Sequence, residues 1–150
     1  MRRDLTILIA EDSENDALLL QMALKRAGIK ERVYVVADGV EAIAYLRGEG
    51  KYKDRSKFPF PNVLFTDLKM PRMSGFEVLQ WLRSNPECFI IPIIVLSASQ
   101  LDDDIRKAYQ LSANAYLVKP GKFEDLQKIL KLAFEFWDKC EKPTPPVPHC

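Results

Sequence analysis

The stretch NVLFTDLKMPRMSG, residues 62–75, places a carboxylate at the end of an apolar run. Val63–Thr66 has the composition of a buried strand, and Asp67 follows it directly. A loop comes next, and Ser74 with Glu77 three residues later is typical of a helix start. A buried strand, an acid and a helix in this order indicate a sheet with a polar group at a strand end.

The alternation of strand and helix occurs five times along the chain. Short apolar strands are predicted at 5–10, 32–37, 63–66, 93–96 and 115–118. An amphipathic helix follows each one, with start signals at Ser13, at Asp38 with Glu41, and at Ser74 with Glu77. Apolar strands alternating with helices imply a parallel sheet covered on both faces. Right-handed crossovers then favour a doubly wound α/β fold, with five strands in the order 2-1-3-4-5 and five helices.

The composition is that of one globular domain. The chain has 150 residues, of which 47% are hydrophobic and 29% charged. A net charge of +1 argues against a nucleic-acid binder, which usually carries a basic excess. Apolar runs are too short for a membrane helix or a signal peptide, so we expect no membrane partner. The three cysteines have no metal-ligand spacing, which favours a reduced, cytoplasmic protein.

Polar residues follow four of the predicted strands: Glu11 and Asp12, Asp67, Ser97, and Lys119. Taken singly, each has a simpler explanation as a loop, turn or surface residue. In a doubly wound sheet, however, ligands bind where the strand order reverses, here between strands one and three. Carboxylates gathered there repel one another unless a cation neutralises them, and Mg²⁺ suits their oxygens. A carboxylate can also attack phosphorus to form an aspartyl phosphate. The pattern therefore predicts a Mg²⁺ site and phosphoryl chemistry.

Four blocks carry a family resemblance: ILIAEDS, NVLFTDLKMPRMSGFEVL, IPIIVLSAS and ANAYLVKP. In this order they resemble the signature blocks of response-regulator receiver domains, over about Leu5 to Trp137. The resemblance implies the flavodoxin-like, CheY-like fold and a place in a two-component phosphorelay. It also implies a signalling switch with limited self-phosphorylation and dephosphorylation chemistry, not a metabolic enzyme.

The resemblance assigns roles to the residues of the acidic site. Asp67 corresponds to the phospho-acceptor, which takes a phosphoryl group from a sensor histidine kinase or a phosphotransfer protein. Asp12 corresponds to a direct Mg²⁺ ligand and Glu11 to a ligand through water. The backbone carbonyl of Lys69 corresponds to a further metal ligand, and Asp67 itself to another.

Three more residues correspond to the phosphoryl-binding and switch positions. Lys119 is expected to pair with Asp67 and later with the phosphoryl group, and its peptide bond to Pro120 is expected to be cis. Ser97 is expected to donate a hydrogen bond to a phosphoryl oxygen. Tyr116 matches the aromatic switch position whose rotamer follows the movement of Ser97, with an inert half-buried ring as the alternative.

The chain is predicted to comprise a receiver domain, residues 1–140, and a proline-rich tail, residues 141–150. Such a single-domain regulator acts through a change in its binding surface. The only histidine, His149, lies in the tail, which argues against a histidine kinase or a Ser-His-Asp hydrolase. Lys69 stands where haloacid-dehalogenase phosphatases have a second aspartate. A phosphorylation-independent adaptor and a hydrolase on the same fold remain as weaker alternatives.

Two segments have features that an ordinary receiver domain does not need. The connection 48–61 is long and basic, and it either contacts the kinase or a second copy, or is a solvated loop. The last helix has a wide apolar face, with Phe134, Phe136 and Trp137 as a candidate homodimer surface, the alternative being burial against the tail or loops. Together they resemble the free-standing regulators that pair with phytochrome-type histidine kinases. Residues 102–104 are three acids that suit a helix start better than a second metal site.

Overall fold

The computed structural model describes residues 5–29, 31–86 and 90–143. Its strands are β1 Thr6–Ala10, β2 Arg32–Val36, β3 Val63–Thr66, β4 Ile93–Ser97 and β5 Ala115–Val118. Its helices are α1 Glu14–Arg26, α2 Gly39–Arg47, α3 Gly75–Arg83, α4 Asp102–Gln110 and α5 Phe123–Lys139, with a 3₁₀ turn at Gly50–Tyr52. None of these helices is long and apolar enough to cross a membrane.

The five strands form one parallel sheet in the order β2-β1-β3-β4-β5, so the predicted fold class is confirmed. Leu8 lies between Tyr34 on one side and Leu64 on the other, which fixes the register of the central strands. The order reverses between β1 and β3, and the carboxyl ends of these two strands are therefore neighbours.

Side-chain caps start three of the helices at the predicted positions. The capping oxygens accept backbone N–H groups three residues on: Ser13 from Asp16 at 3.2 Å, Asp38 from Glu41 at 2.9 Å, and Ser74 from Glu77 at 3.2 Å. Each cap satisfies a donor that the first turn of a helix leaves without an intrahelical partner. The caps fix where each helix begins relative to the strand end before it.

Helices cover both faces of the sheet and divide the core into two layers. One layer packs α2, α3 and α4 against alternate strand residues such as Leu8 and Leu64. The other packs α1 and α5 against Ile7, Ile9 and Phe65. Because successive strand residues point to opposite faces, strands buried on both sides must be apolar throughout.

The candidate dimer surface on α5 is corrected by this packing. Phe134 and Trp137 are each only 8% exposed, and the ring of Phe134 stacks on Phe65 with centroids 5.7 Å apart. Of the three predicted surface residues only Phe136, at 74% exposure, faces outward. Two residues on a helix separated by two positions point about 200° apart, so Phe134 and Phe136 cannot share a face.

The connection 48–61 is only partly a solvated loop: its lysines at 51, 53 and 57 are exposed, whereas its aromatic residues pack over α2. Tyr52 and Phe58 pack against the buried ring of Tyr45, with centroids 4.9 and 6.0 Å from it. Arg55 turns inward and donates to the carbonyl oxygens of Leu46 at 2.9 Å and Phe58 at 3.1 Å. Aromatic burial therefore orders this segment. Of the predicted tail, residues 144–150 lie outside the described residues.

Candidate functional site

Asp67 stands at the carboxyl end of β3, held by the backbone on both sides. Its N–H donates to the carbonyl of Ala10 at 3.1 Å, and the Thr66 hydroxyl donates to its carbonyl oxygen at 2.8 Å. The Oδ1 atom of Asp67 accepts the N–H of Leu68 at 2.7 Å. These contacts fix the carboxylate while leaving 16% of the side chain exposed.

The start of α3 lies against the back of Asp67. Gly75 donates its N–H to the carbonyl of Leu68 at 2.9 Å. A Cβ atom added to Gly75 would lie 2.1 Å from the Asp67 carbonyl oxygen, far inside any real contact. Glycine is required here because helix and strand end approach too closely for a side chain.

An ion pair and a backbone hydrogen bond hold the loop between Asp67 and α3. Asp38, 5% exposed, accepts from Arg72 through its Oδ2 atom, at 2.7 Å from both Nε and the terminal nitrogen. Gly39 donates its N–H to the carbonyl of Met73 at 3.1 Å. The cap of α2 thus also anchors the loop that carries Lys69.

Three carboxylates gather at the switch point, as the sequence predicts. Glu11, Asp12 and Asp67 each offer an oxygen, and these oxygens lie within 4.8 Å of one another. Glu11 is 5% exposed and is placed by its N–H, which donates to the Val36 carbonyl at 3.0 Å. Asp12 is exposed to solvent. A set of hard oxygens at this spacing fits a divalent cation such as Mg²⁺ or Mn²⁺.

Lys119 supplies the positive charge inside this cluster. Its Nζ atom hydrogen-bonds Glu11 Oε1, lies 3.1 Å from Asp67 Oδ2 and 3.6 Å from Asp16 Oδ2. The Lys119 N–H donates to the Ser97 carbonyl at 2.8 Å, which fixes where the side chain departs. The predicted pair with Asp67 is present, and the contact with Asp16 was not predicted.

The pKa values of the central pair follow from burial and charge. Burial, with the charge of Asp67 and a hydrogen bond with Asp12, raises the pKa of Glu11 above its ordinary value, although the hydrogen bond and charge of Lys119 lower it. Burial lowers the pKa of Lys119, but the hydrogen bond to Glu11 and the charges of Asp67 and Glu11 outweigh it and raise the net value. Lys119 is therefore firmly cationic.

Ser97 and Tyr116 lie on the other side of Asp67, where β4 leads into α4. Ser97 is 3% exposed, and its hydroxyl oxygen accepts the N–H of Ser99 at 3.1 Å. Tyr116 donates its hydroxyl to the Ser99 carbonyl at 2.9 Å. The Ser99 hydroxyl in turn donates to Asp104 on α4. One chain of hydrogen bonds therefore links the Ser97 position to Tyr116 and to the first turn of α4.

A groove of about 330 Å³ opens beside Asp67, between Lys69 and the segment Ser97–Leu101. Asp67 and Ser97 both line it, so a group bound to the Asp67 carboxylate has room on this side. Lys69 also lines the groove and therefore lies near Asp67. The role of the Lys69 backbone carbonyl as a metal ligand stays a prediction.

The expected cis bond before Pro120 is wrong for this structure, since the described residues contain no cis peptide bond. A bond before proline prefers the trans form by about 0.5–1 kcal/mol unless its surroundings select the other.

Comparison with known proteins decides the family. The response regulator receiver domain model matches residues 7–131, most of the chain. The chain belongs to the response regulator receiver domain family.

The chain is similar to known response regulators, one of which acts in red light signalling. It is 37% identical to the response regulator Rcp1 of Synechocystis sp. over 131 residues, covering 87% of each chain. It is 34% identical to RPA3017 of R. palustris, a response regulator in red light signalling, with a TM-score of 0.88 over 93% of this chain and 99% of the other.

Two solved structures of similar proteins are of a phosphorylated form and a metal-bound form. One is the phosphorylated cyanobacterial phytochrome response regulator RcpA, 36% identical, with a TM-score of 0.85 over 95% of this chain and all of the other. The other is the Mn²⁺-bound form of Rcp1, 35% identical, with a TM-score of 0.81 over 93% of this chain and 99% of the other. This chain is thus the receiver domain of a two-component response regulator, a signalling switch.

Proposed function

We propose that Asp67 accepts a phosphoryl group from a phosphohistidine of a sensor histidine kinase or a phosphotransfer protein, with Mg²⁺ as cofactor. The observation that carries the proposal is the Asp67 carboxylate, held 3.1 Å from Lys119 and within 4.8 Å of two further acids. A carboxylate oxygen of Asp67 forms the new bond to phosphorus while the bond from phosphorus to the imidazole nitrogen breaks. The imidazole leaves with its electron pair and gains a proton.

The residues around Asp67 divide the work of binding and charge neutralisation. Glu11, Asp12, Asp67 and the carbonyl of Lys69 would hold Mg²⁺, which supplies positive charge to the carboxylates and the phosphoryl oxygens. Lys119 stays charged and is already at hydrogen-bond distance from Asp67. Ser97 can donate its hydroxyl proton because its oxygen accepts from Ser99 and leaves that proton available.

Tyr116 is the proposed readout of the phosphorylated state. Its hydroxyl is bound to the Ser99 carbonyl, two residues beyond Ser97. A movement of Ser97 toward a phosphoryl oxygen would carry Ser99 with it and change the position of the Tyr116 ring. The exposed surface around β5 and α4 would then differ between the two states, and partner affinity would change with it.

Intact-protein mass spectrometry tests the proposal. The chain is incubated with acetyl phosphate, with and without Mg²⁺, as wild type and as Asp67→Asn. We expect a Mg²⁺-dependent adduct that is stable in acid, labile in alkali and absent from the variant. If neither acetyl phosphate nor a phosphohistidine donor gives an adduct on a folded chain, a phosphorylation-independent adaptor replaces the proposal.

The kinase is proposed to be of the phytochrome type and the exchange to take place in the cytoplasm. The similarity to RcpA and RPA3017 supports the first proposal, and the free thiol of Cys140 fits the second. We place the domain boundary at residue 140, since α5 ends at Lys139. Phosphoryl transfer from a panel of kinases, with the phytochrome type fastest, tests the partner.

A homodimer is proposed through the outer stripe of α5. Leu132 and Phe136 lie one turn apart and are 66% and 74% exposed. Sedimentation velocity over a concentration series tests it, with Phe136→Glu compared to Leu101→Glu, a change at a residue of similar exposure that directly precedes α4. Only the Phe136 variant should shift toward monomer. A wild type that is monomeric throughout, with and without a phosphoryl mimic, contradicts the proposal.

A further inference from the structure

The Lys119 ammonium has three carboxylate neighbours, and the outermost is Asp16. Its Oδ2 atom lies 3.6 Å from Lys119 Nζ, and the Asp16 side chain is 49% exposed, against 5% for Glu11 and 16% for Asp67. Asp16 lies in the first turn of α1, whereas Glu11 and Asp67 follow β1 and β3. One helix and two strands therefore supply the carboxylates around the Lys119 ammonium. The contact is electrostatic and sits at the solvent side of the cluster.

The direction of the Asp16 side chain is not explained by capping of its helix. Ser13 accepts the Asp16 N–H, which places Asp16 at the position where a glutamate or glutamine of a capping box reaches back to the start of the helix. Glu41 does so in α2, where it accepts the N–H of Ala37 at 3.1 Å. Asp16 has the same position in α1, but its carboxylate lies beside Lys119 instead.

The other two partners of Lys119, Glu11 and Asp67, have a further proposed role. Glu11 and Asp67 belong to the three-carboxylate cluster that fits a divalent cation, and Asp67 is the proposed phospho-acceptor. Asp16 is outside that cluster, and about half of its side chain is exposed. Of the three partners of Lys119 it is therefore the one that neither the cation nor the phosphoryl group would engage.

We infer that Asp16 is a positioning residue that holds the Lys119 ammonium at the site while Glu11 and Asp67 bind the cation and the phosphoryl group. The inference rests on the proposed function of Asp67. Removing the Asp16 charge should slow phosphoryl uptake from acetyl phosphate at saturating Mg²⁺ by about two- to five-fold, the size expected for a half-exposed ion pair.

Matched variants separate this role from two alternatives. Asp16→Asn removes the charge with the same side-chain shape, and Asp16→Glu keeps the charge and should restore the rate. Glu14→Gln is the control, because it removes an exposed acid from the same first turn of α1. A double-mutant cycle with Lys119→Gln shows whether Asp16 acts through that lysine. Thermal unfolding of each variant shows any effect on stability.

A second readout uses the metal-free protein. The side-chain ammonium signal of Lys119, assigned by its loss in Lys119→Gln, is followed by ¹H–¹⁵N NMR. We expect Asp16→Asn to move this signal and Glu14→Gln to leave it in place.

Each result of these experiments has a definite meaning. The inference stands if Asp16→Asn slows uptake, Glu14→Gln does not, and the Asp16 effect disappears in the Lys119→Gln background. It is overturned if Asp16→Asn speeds uptake, matches the control, or has the same effect without Lys119, since the acid would then act only through its general field on an anionic donor. A wild type that takes up no phosphoryl group from any donor refutes the proposed function and the inference together.

Discussion

Gly75→Ala is the substitution with the sharpest structural consequence for the site. A Cβ atom at position 75 would lie 2.1 Å from the carbonyl oxygen of Asp67 and 3.0 Å from the Cα of Leu68. Both neighbours are backbone, so no side chain can turn aside to make room. The start of α3 and the end of β3 must separate by about 1 Å to reach a tolerable contact.

Two opposing effects decide the free energy of unfolding of this variant. Alanine favours a helix over glycine by up to about 1 kcal/mol, and less in the first turn. Overpacking costs about 1–3 kcal/mol. The hydrogen bond from the Gly75 N–H to Leu68 is strained by the same movement, at about 0.5–1.5 kcal/mol. The costs exceed the gain, and we expect a net loss of about 0.5–4.5 kcal/mol.

Urea denaturation measures this loss, with Gly121→Ala as the control because no atom lies within 4 Å of an added Cβ there. The midpoint for Gly75→Ala should fall by about 1 M urea. Phosphoryl uptake on Asp67 should fall about ten-fold or more, since small displacements of reacting groups are costly. A Gly75→Ala midpoint equal to that of the control, with unchanged uptake, would refute the close approach of α3 to Asp67.

Other contacts give smaller or more local effects. Tyr52→Phe removes a hydroxyl that donates to Glu41 at 2.8 Å, and the free energy of unfolding should fall by about 0.5–1.5 kcal/mol in urea denaturation. An unchanged midpoint would contradict that bond. Phe134→Ala should lower the same quantity by about 3–5 kcal/mol because the ring is buried. For the monomer, measured at low protein concentration, Phe136→Ala should change it by less than about 0.5 kcal/mol because that ring is exposed, and equal losses would contradict the packing of α5. The raised pKa of Lys119 means that its ion pairs stabilise the fold fully below pH 10.5 and lose this contribution as pH rises through the raised value. The difference in stability between wild type and Lys119→Gln should therefore shrink above pH 10.5, and a constant difference would refute the shift.

The strand order and the acidic cluster could be predicted from the sequence because both follow from repetition. Five apolar runs alternating with helices leave few arrangements for a parallel sheet, and that sheet brings its carboxyl ends together at one rim. Glu11, Asp12 and Asp67 each follow a strand directly, so their convergence needs only the strand order. Lys119 likewise follows β5 directly, and its side chain extends from that strand to Glu11 and Asp67.

The features that sequence analysis missed depend on side-chain direction. Asp16 is an acid in the first turn of a helix, where it is favourable without any partner, and the sequence holds no sign that it faces Lys119. The aromatic residues Tyr52 and Phe58 were a usable sign that the connection 48–61 is packed, but its lysines suggested solvent. Phe134 and Phe136 could have been separated by helical geometry alone, since residues two apart point in different directions.

The backbone around Asp67 is held on both sides, whereas the other side of the site is a chain of side-chain hydrogen bonds. On the proposed function, this difference decides which part of the site responds to phosphorylation. Four carboxylates, those of Glu11, Asp12, Asp16 and Asp67, and one ammonium carry a formal charge of −3, so added positive charge stabilises the cluster. Asp67 cannot move to meet it, because β3 and the start of α3 hold its backbone from both sides. The remaining groups lie elsewhere: Asp16 at the solvent edge, and the chain of hydrogen bonds that joins Ser97, Ser99 and Tyr116 beside the groove. On the proposed function, a change of charge at Asp67 would be expressed through the segment that joins β4 to α4, and a partner would read the surface that this segment and Tyr116 present.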